Sequence, residues 1–547
     1  MENMNLERFG IMLDCSRNGV MTVDSVKRFI DTMVRMGYNC LLLYTEDTYE
    51  IKSHPYFGHQ RGRYSAEEIK EIDSYAISKG VELIPCIQTL AHLERIFRWG
   101  VYANVNDTGN ILLVDEEKTY DLIDDMFKAL SESYTTRIVN IGMDEAGMLG
   151  RGKYLDRHGL VNRTDIIFKH LNRVSEIAKK YGFTITMWGD MFLGSDLFVR
   201  MMQDREYTEE ELWEVSQKKE LVPENVKIVY WDYYSLKDKI YDSLLSVYET
   251  LKDDVWFAGG LWCWNGFAPH NAFSEKQTEL AFRHCANHGV KNIFLTMWGD
   301  NGNECSKFSL LPSMYYASQL VKGITDKEEI KLGFEKEFGI KYDDFMLIDL
   351  PSSEDFTPDG VNYAGNLSTA EKYLLYSDCL MGLFDNTVDQ NTAKQYRNLA
   401  TKMSDLITHP EFGYLFDTIS SLCEVLSVKA DIGVRTRKAY LDKDIDTLKS
   451  IIVDYDTILS NLDKFYIAFE KQWMKENKPQ GFEVQDARIG GLIQRVKHCK
   501  ARLLQYINGE IDGIGELEEP VLDVACREED NKPLQYNNWA ASISVTS

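Results

Sequence analysis

Two acidic side chains stand side by side in "RIVNIGMDEAGMLGRGKY", residues 137–154: Asp144 and Glu145, at the end of an apolar, β-branched run. A pair of positioned carboxyl groups is standard equipment for general acid and base work on a polar substrate. The same stretch has a rival reading, because Gly147-x-x-x-x-Gly152-Lys153 carries the spacing of a phosphate-binding loop. Such a loop needs Ser or Thr after its Lys to hold magnesium, and Tyr154 stands there instead. It would also set Asp144 and Glu145 beside a polyphosphate, which their charges oppose. The chemistry is therefore assigned to the carboxylates.

Neighbouring side chains on a strand point to opposite faces, so both acids reach one ligand only if regular strand geometry ends between them. Gly142 before the pair and Ala146-Gly147 after it permit that. Retaining glycosidases generally use two carboxyls about 5 Å apart, one as nucleophile and one as acid. An adjacent pair suggests another division of labour. If the substrate carries a 2-acetamido group, its own carbonyl oxygen attacks C1, and the protein supplies one acid plus one carboxylate that steadies the amide.

The elements that must position this pair are legible over the first 320 residues. Eight short apolar runs, "RFGIMLDCS", "YNCLLLYTED", "VELIPCIQTLAH", "RIVNIGMDEA", "FTITMWGDM", "VKIVYWDYY", "VWFAGGLWCWNG" and "NIFLTMWGD", alternate with amphipathic helical patterns. Capping boxes Ser65-x-x-Glu68 and Thr208-x-x-Glu211 mark two helix starts. Strands separated by helices pair in parallel, and eight such units predict a closed (β/α)₈ TIM barrel. Active sites on such barrels lie at the C-terminal strand ends. Polar and aromatic residues collect there: Asp14 with Arg17, Glu46 with Asp47, Gln88 with His92, Asp144 with Glu145, Trp188 with Asp190, Trp231 with Asp232, Trp264 with Asn265, and Trp298 with Asp300. Four of ten Trp fall at four consecutive strand ends, where a purely core role would scatter them along the strands. Indole walls around carboxylates suit a sugar, whose C–H faces stack while its hydroxyls donate.

Bulk properties narrow the partners. The 547-residue chain carries a formal net charge of -25, which repels phosphate backbones and excludes nucleic acid as a partner. No apolar run is long enough for a membrane span, and the N-terminus shows no signal-peptide pattern, so a cytoplasmic location is expected. Ten scattered cysteines without a C-x-x-C pair fit reduced thiols. His284 and His288 sit at i, i+4 but lack a third ligand nearby, so they read as a helix end and no metal is expected.

"VNIGMDEA" resembles the Asn-x-Gly-x-Asp-Glu signature of the family 20 glycoside hydrolases, the exo-acting β-N-acetylhexosaminidases. The likeness runs over residues 6–320. "YTED" is similar to the second-strand acidic pair, "IPCIQTLAH" to the third-strand segment ending in His, and the two "MWGD" stretches to the fifth- and eighth-strand Trp motifs. The resemblance implies that Asp144 orients the acetamido group and stabilises an oxazolinium intermediate, while Glu145 is the general acid/base. His92, backed by Glu46 or Asp47, would relay to the acid. Trp188, Trp231 and Trp298 would wall the sugar, with Trp264 beside them, and Asp300 and Asn265 would hold outer hydroxyls, joined by Asp14 and Arg17. Terminal β-linked GlcNAc or GalNAc of oligosaccharides or glycoconjugates would be the substrate, and no cofactor is implied.

Two departures from the pattern stand out. The family's first strand opens Arg-Gly, but Arg8-Phe9-Gly10 displaces the Arg by one residue and turns it to the other face. "LWCWNG" lacks the seventh-strand Tyr that would bond the acetamido carbonyl, so Tyr233 is taken as its substitute. The barrel begins at once, which is similar to the smaller intracellular branch without an N-terminal α+β domain.

Residues 1–322 are read as the catalytic barrel and 323–547 as an all-α C-terminal domain, with helical patterns after Ser368-x-x-Glu371 and around 388–408, 413–440, 445–476 and 484–508. "PSSEDFTPDG" reads as a surface loop, and strands are absent up to about the last thirty residues. The Gly490-Gly491 pair is expected to permit close packing against the barrel or against a second copy in a homodimer. The alternatives are a barrel glycosidase with a protein nucleophile and a non-catalytic sugar-binding protein.

Overall fold

The computed structural model describes residues 3–205, 207–353 and 369–522. The capping box at Ser368, most of the 351–360 stretch and nearly all of the last thirty residues lie outside them. Eight parallel strands close a barrel: β1 (Arg8–Asp14), β2 (Cys40–Glu46), β3 (Glu82–Ile87), β4 (Ile138–Asn140), β5 (Thr184–Trp188), β6 (Val226–Trp231), β7 (Trp256–Gly260) and β8 (Asn292–Met297). Each strand pairs with its sequence neighbours, and the ring closes where β1 meets β8, Arg8 opposite Asn292 through Leu13 opposite Met297. Every residue of β2 and of β8 is buried. Strands covered on both faces must be continuously apolar, which is why these runs do not alternate.

Helices α1 (Val23–Met36), α2 (Ala66–Ser78), α3 (Glu117–Ser133), α4 (Arg163–Lys180), α5 (Asp238–Leu251), α6 (Asn271–Asn287) and α7 (Leu311–Val321) follow β1, β2, β3, β4, β6, β7 and β8. Both expected capping boxes form, at Ser65 before α2 and at Thr208 before the helix Glu209–Ser216. Each such cap satisfies amide groups that the first helical turn leaves open and stabilises it by about 1 kcal/mol. β5 is followed by short helical pieces, Asp190–Leu193 and Ser195–Met202, instead of one long helix.

The chain divides into two compact units. The first comprises Met1–Leu261, Glu275–Trp298 and Met314–Thr325, and the second Trp262–Ser274, Gly299–Ser313 and everything from Asp326. Within the second, α8 (Lys327–Phe338), α9 (Ala370–Tyr376), α10 (Thr392–Met403), α11 (Gly413–Lys429), α12 (Ile432–Leu441), α13 (Ile445–Glu476) and α14 (Phe482–Ile507) leave no strand among the described residues from 326 onward. The pattern at 445–476 matches its helix residue for residue, whereas that at 413–440 is two helices. A Cβ built at Gly490 meets nothing within 4 Å, so no close approach within the chain requires glycine at that position.

Candidate active site

The pair at the end of β4 is built by a break in the strand. β4 stops at Asn140, and Gly142, Met143 and Glu145 take φ of 70°, 68° and 51°. The Asn140 side chain accepts from the Gly142 amide at 2.8 Å, pinning the turn. Gly142 is required here, because a Cβ would lie 2.1 Å from Gln88 Oε1. That oxygen accepts from the Met143 amide at 3.2 Å, while Gln88 Nε2 donates to Asp144 Oδ1 at 2.8 Å and to the Tyr44 hydroxyl at 3.0 Å. The Tyr44 hydroxyl donates in turn to Glu46 at 3.1 Å. A register shift between Tyr44 and Glu46 ends β2 irregularly.

The two acids are placed in unlike surroundings. The Asp144 side chain is 13% exposed and that of Glu145 is 61% exposed. His92 Nε2 lies 3.3 Å from Asp144 Oδ2 and 3.6 Å from Glu145 Oε2, an ion contact and not an aligned hydrogen bond. Burial works to raise the Asp144 carboxyl, but the His92 charge and the Gln88 amide outweigh it and hold Asp144 below the usual carboxylate range. Burial likewise opposes the imidazolium of His92, yet Asp144 wins and lifts it to about 9. Burial pushes Glu46 up to about 7, against the pull of Arg17 and His92. The Glu145 amide donates to Asp190 Oδ2 at 3.1 Å, and Trp231 Nε1 lies 3.3 Å from Asp190 Oδ1. Burial, and after it the Asp144 charge, raises Asp190 to about 7.

Contacts run around this cluster through the expected residues of the first unit. Arg17 pairs with Asp14 at 3.2 Å and Glu46 at 3.6 Å, and its guanidinium lies 4.6 Å over Trp298. Trp298 neighbours Trp188 at 6.2 Å and Tyr233 at 6.3 Å, and Tyr233 stacks on Trp231 at 5.2 Å. The buried Trp188 indole N–H has no acceptor among the described residues. Asp47 is drawn elsewhere, because Arg61 pairs with it at 3.2 Å; of the two second-strand acids, Glu46 is the one whose charge acts on His92. Trp264, Asn265 and Asp300 belong to the second unit, where Trp264 stacks on Trp262 at 3.8 Å and the Asn265 amide donates to the Asp300 carbonyl at 3.1 Å. Gln88 and Asp190 were visible as strand-end polar residues, and Tyr44 carried no separate signal; all three prove to hold the acids.

The remaining motifs resolve as structure. Lys153 donates to the Ala103 and Asn106 carbonyls, the latter at 2.9 Å, and a Cβ at Gly152 would meet the Asp107 carbonyl at 2.3 Å. The phosphate-loop spacing is thus a packing of chain against chain. Arg8 sits at the N-terminal end of β1, bonded to Glu82 at 2.7 Å and Asn292 at 3.2 Å. His284 pairs with Asp238 at 2.9 Å and His288 with Asp242 at 3.1 Å, so each serves a different acid. His92, Asp144 and Glu145 each offer one ligand atom, all within 4.8 Å, a grouping that suits a shared proton and is also open to a cation.

A closed parallel barrel that gathers a buried and an exposed carboxyl, an imidazolium and three indoles at its strand ends is built as a glycoside hydrolase. The chain belongs to glycosyl hydrolase family 20: the model of that family's catalytic domain matches residues 8–252, and the Glycoside Hydrolase 20C C-terminal domain matches 343–535. Hexosaminidase D of Bos taurus is 26% identical over 259 residues, spanning 46% of this chain and 68% of that protein. Hexosaminidase D of Homo sapiens is 26% identical over 208 residues, 36% of this chain and 39% of that protein. A solved GH20 exo-β-N-acetylglucosaminidase from Vibrio harveyi, in complex with N-acetylglucosamine, is 15% identical and covers 63% of this chain and 59% of its own, with a TM-score of 0.47.

Proposed function

We propose that this chain is an exo-acting β-N-acetylhexosaminidase that removes terminal β-linked GlcNAc or GalNAc through the substrate's own acetamido group. The observation that carries the reading is the divergence of two adjacent acids: Asp144 is buried and kept ionised by His92 and Gln88, whereas Glu145 is exposed at the same strand end. Environments that separate neighbouring carboxyls assign their roles. Asp144 orients the acetamido nitrogen and stabilises the oxazolinium charge as the carbonyl oxygen closes on C1. Glu145 protonates the departing glycosidic oxygen, then takes a proton from the water that opens the ring. His92 and Glu46 steady the pair; Trp188, Trp231, Trp298 and Tyr233 wall the sugar; Asp14 and Arg17 meet its hydroxyls. Trp264, Asn265 and Asp300 are assigned to sugar contacts on their motifs. Asp47, paired with Arg61, is left with a structural part.

Nitrophenyl β-GlcNAc and β-GalNAc are expected to be cleaved, and Glu145→Gln to lower turnover by a factor on the order of 10² or more. Equal rates on β-glucoside and β-galactoside would instead select a protein nucleophile, and binding without turnover a sugar-binding protein. No disulfide joins the described cysteines, all of which are buried, and this supports a reducing, cytoplasmic setting. No described helix is long and apolar enough to cross a membrane. The division at residue 322 into a catalytic barrel and a helical domain is part of the same proposal, as is a homodimer.

A further inference from the structure

The loops after β2 and β3 carry an aromatic cluster that neither the core nor the carboxylate site uses. Tyr56 is 43% exposed and Val101 62%, and Trp99 is half-buried. The Tyr56 and Trp99 rings lie 5.3 Å apart at 45°, with His59 5.6 Å from Trp99. The Arg98 guanidinium sits 4.8 Å over Trp99 and donates at 2.8 Å to the His59 carbonyl, tying the two loops together. One helical turn, Glu94–Phe97, separates Trp99 from His92. Both loops leave C-terminal strand ends, the face of the barrel at which Asp144 and Glu145 lie.

We propose that Tyr56 and Trp99, flanked by His59 and Val101, form a subsite for a neutral pyranose of the aglycone, the sugar beyond the bond that is cut. The proposal rests on the hexosaminidase reading of the carboxylate site. Exposed aromatic faces gain by covering the C–H face of a pyranose, and Arg98, fixed beside them, has donors for its hydroxyls. A few rings make far too small a patch for a protein interface, which takes about 800 Å² per partner. The net charge of -25 disfavours an anionic chain.

The test compares a β-linked GlcNAc tetrasaccharide with methyl β-N-acetylglucosaminide, whose aglycone is too small to reach the rings. Trp99→Ala should lower kcat/KM on the tetrasaccharide by about tenfold, mostly in KM, and leave the methyl glycoside within about twofold. Trp99→Phe should restore most of the loss. Equal losses on both substrates, or none on either, would overturn the subsite. If neither substrate is hydrolysed, the function has failed and the subsite is still decided by saturation-transfer NMR with the tetrasaccharide: a transfer signal that disappears in Trp99→Ala and Tyr56→Ala upholds it, and a signal as strong as that of wild type removes it.

Discussion

At the scale of single residues, Asp190 shows how a buried acid can position another. It is 3% exposed, receives the Glu145 amide and the Trp231 indole, and is raised to about 7 by burial and by Asp144. In the unfolded chain its carboxyl titrates near pH 3.9, as an ordinary Asp does. The folded protein therefore binds the extra proton between these values, and its stability falls as pH rises through that window. Asp190→Asn should gain thermal stability over wild type at pH 8 but little at pH 4, while kcat above pH 7 falls on the order of tenfold because Glu145 there loses a charged anchor. Equal melting shifts at both pH values would remove the linkage. Asp144, Glu145 and the strand-end Trp residues were legible because their types and spacing alone imply chemistry. The Tyr44–Gln88–Asp144 chain was not, because it depends on which strands are neighbours. Of the two acids offered behind His92, the choice of Glu46 over Asp47 was not legible, because nothing local in the sequence marks Arg61 as the partner of Asp47.

At the scale of elements, the site depends on where β4 stops. A run of ten residues suggested a strand up to the acids, yet only Ile138–Asn140 pair. Beyond them the chain turns through left-handed residues so that Asp144 and Glu145 serve one place. Gly142→Ala should fail twice, since Ala is strained at φ 70° and its Cβ would displace Gln88 from Asp144. A loss of about 1–3 kcal/mol in chemical denaturation is expected, with kcat down more than tenfold; wild-type kcat in this variant would separate the turn from the chemistry. All eight barrel strands were readable because apolar runs bounded by helices leave few topologies. The ribbon of Asn106–Thr108 with Ile111–Leu112 was not, being too short to carry a period.

At the scale of the molecule, the proposed division at 322 follows chain order, while each compact unit is assembled from several stretches of chain. Trp262–Ser274 and Gly299–Ser313 group with the helices of the second unit. Chain order hides this, because the groups that hold these segments lie far along the sequence. Glu371 accepts from the Phe267 amide at 2.9 Å, and Asp349 from Asn271 at 2.8 Å. Glu304 is buried between Lys372 and Arg488, the latter at 2.8 Å, and both cations also donate to the Asn301 carbonyl. Burial lowers Lys372 to about 8 even beside Glu304. Removing Glu304 takes the nearest carboxylate from both cations, of which Lys372 is buried and Arg488 is 17% exposed. Breaking a buried pair in this way costs about 3–5 kcal/mol, far more than an exposed pair contributes. Glu304→Ala should therefore destabilise the second unit by that amount in urea unfolding, and Glu304→Ala with Lys372→Met should recover a substantial part. A single variant as stable as wild type would mean that the cations are solvated in solution, and the clamp on residues 299–306 would no longer account for their placement.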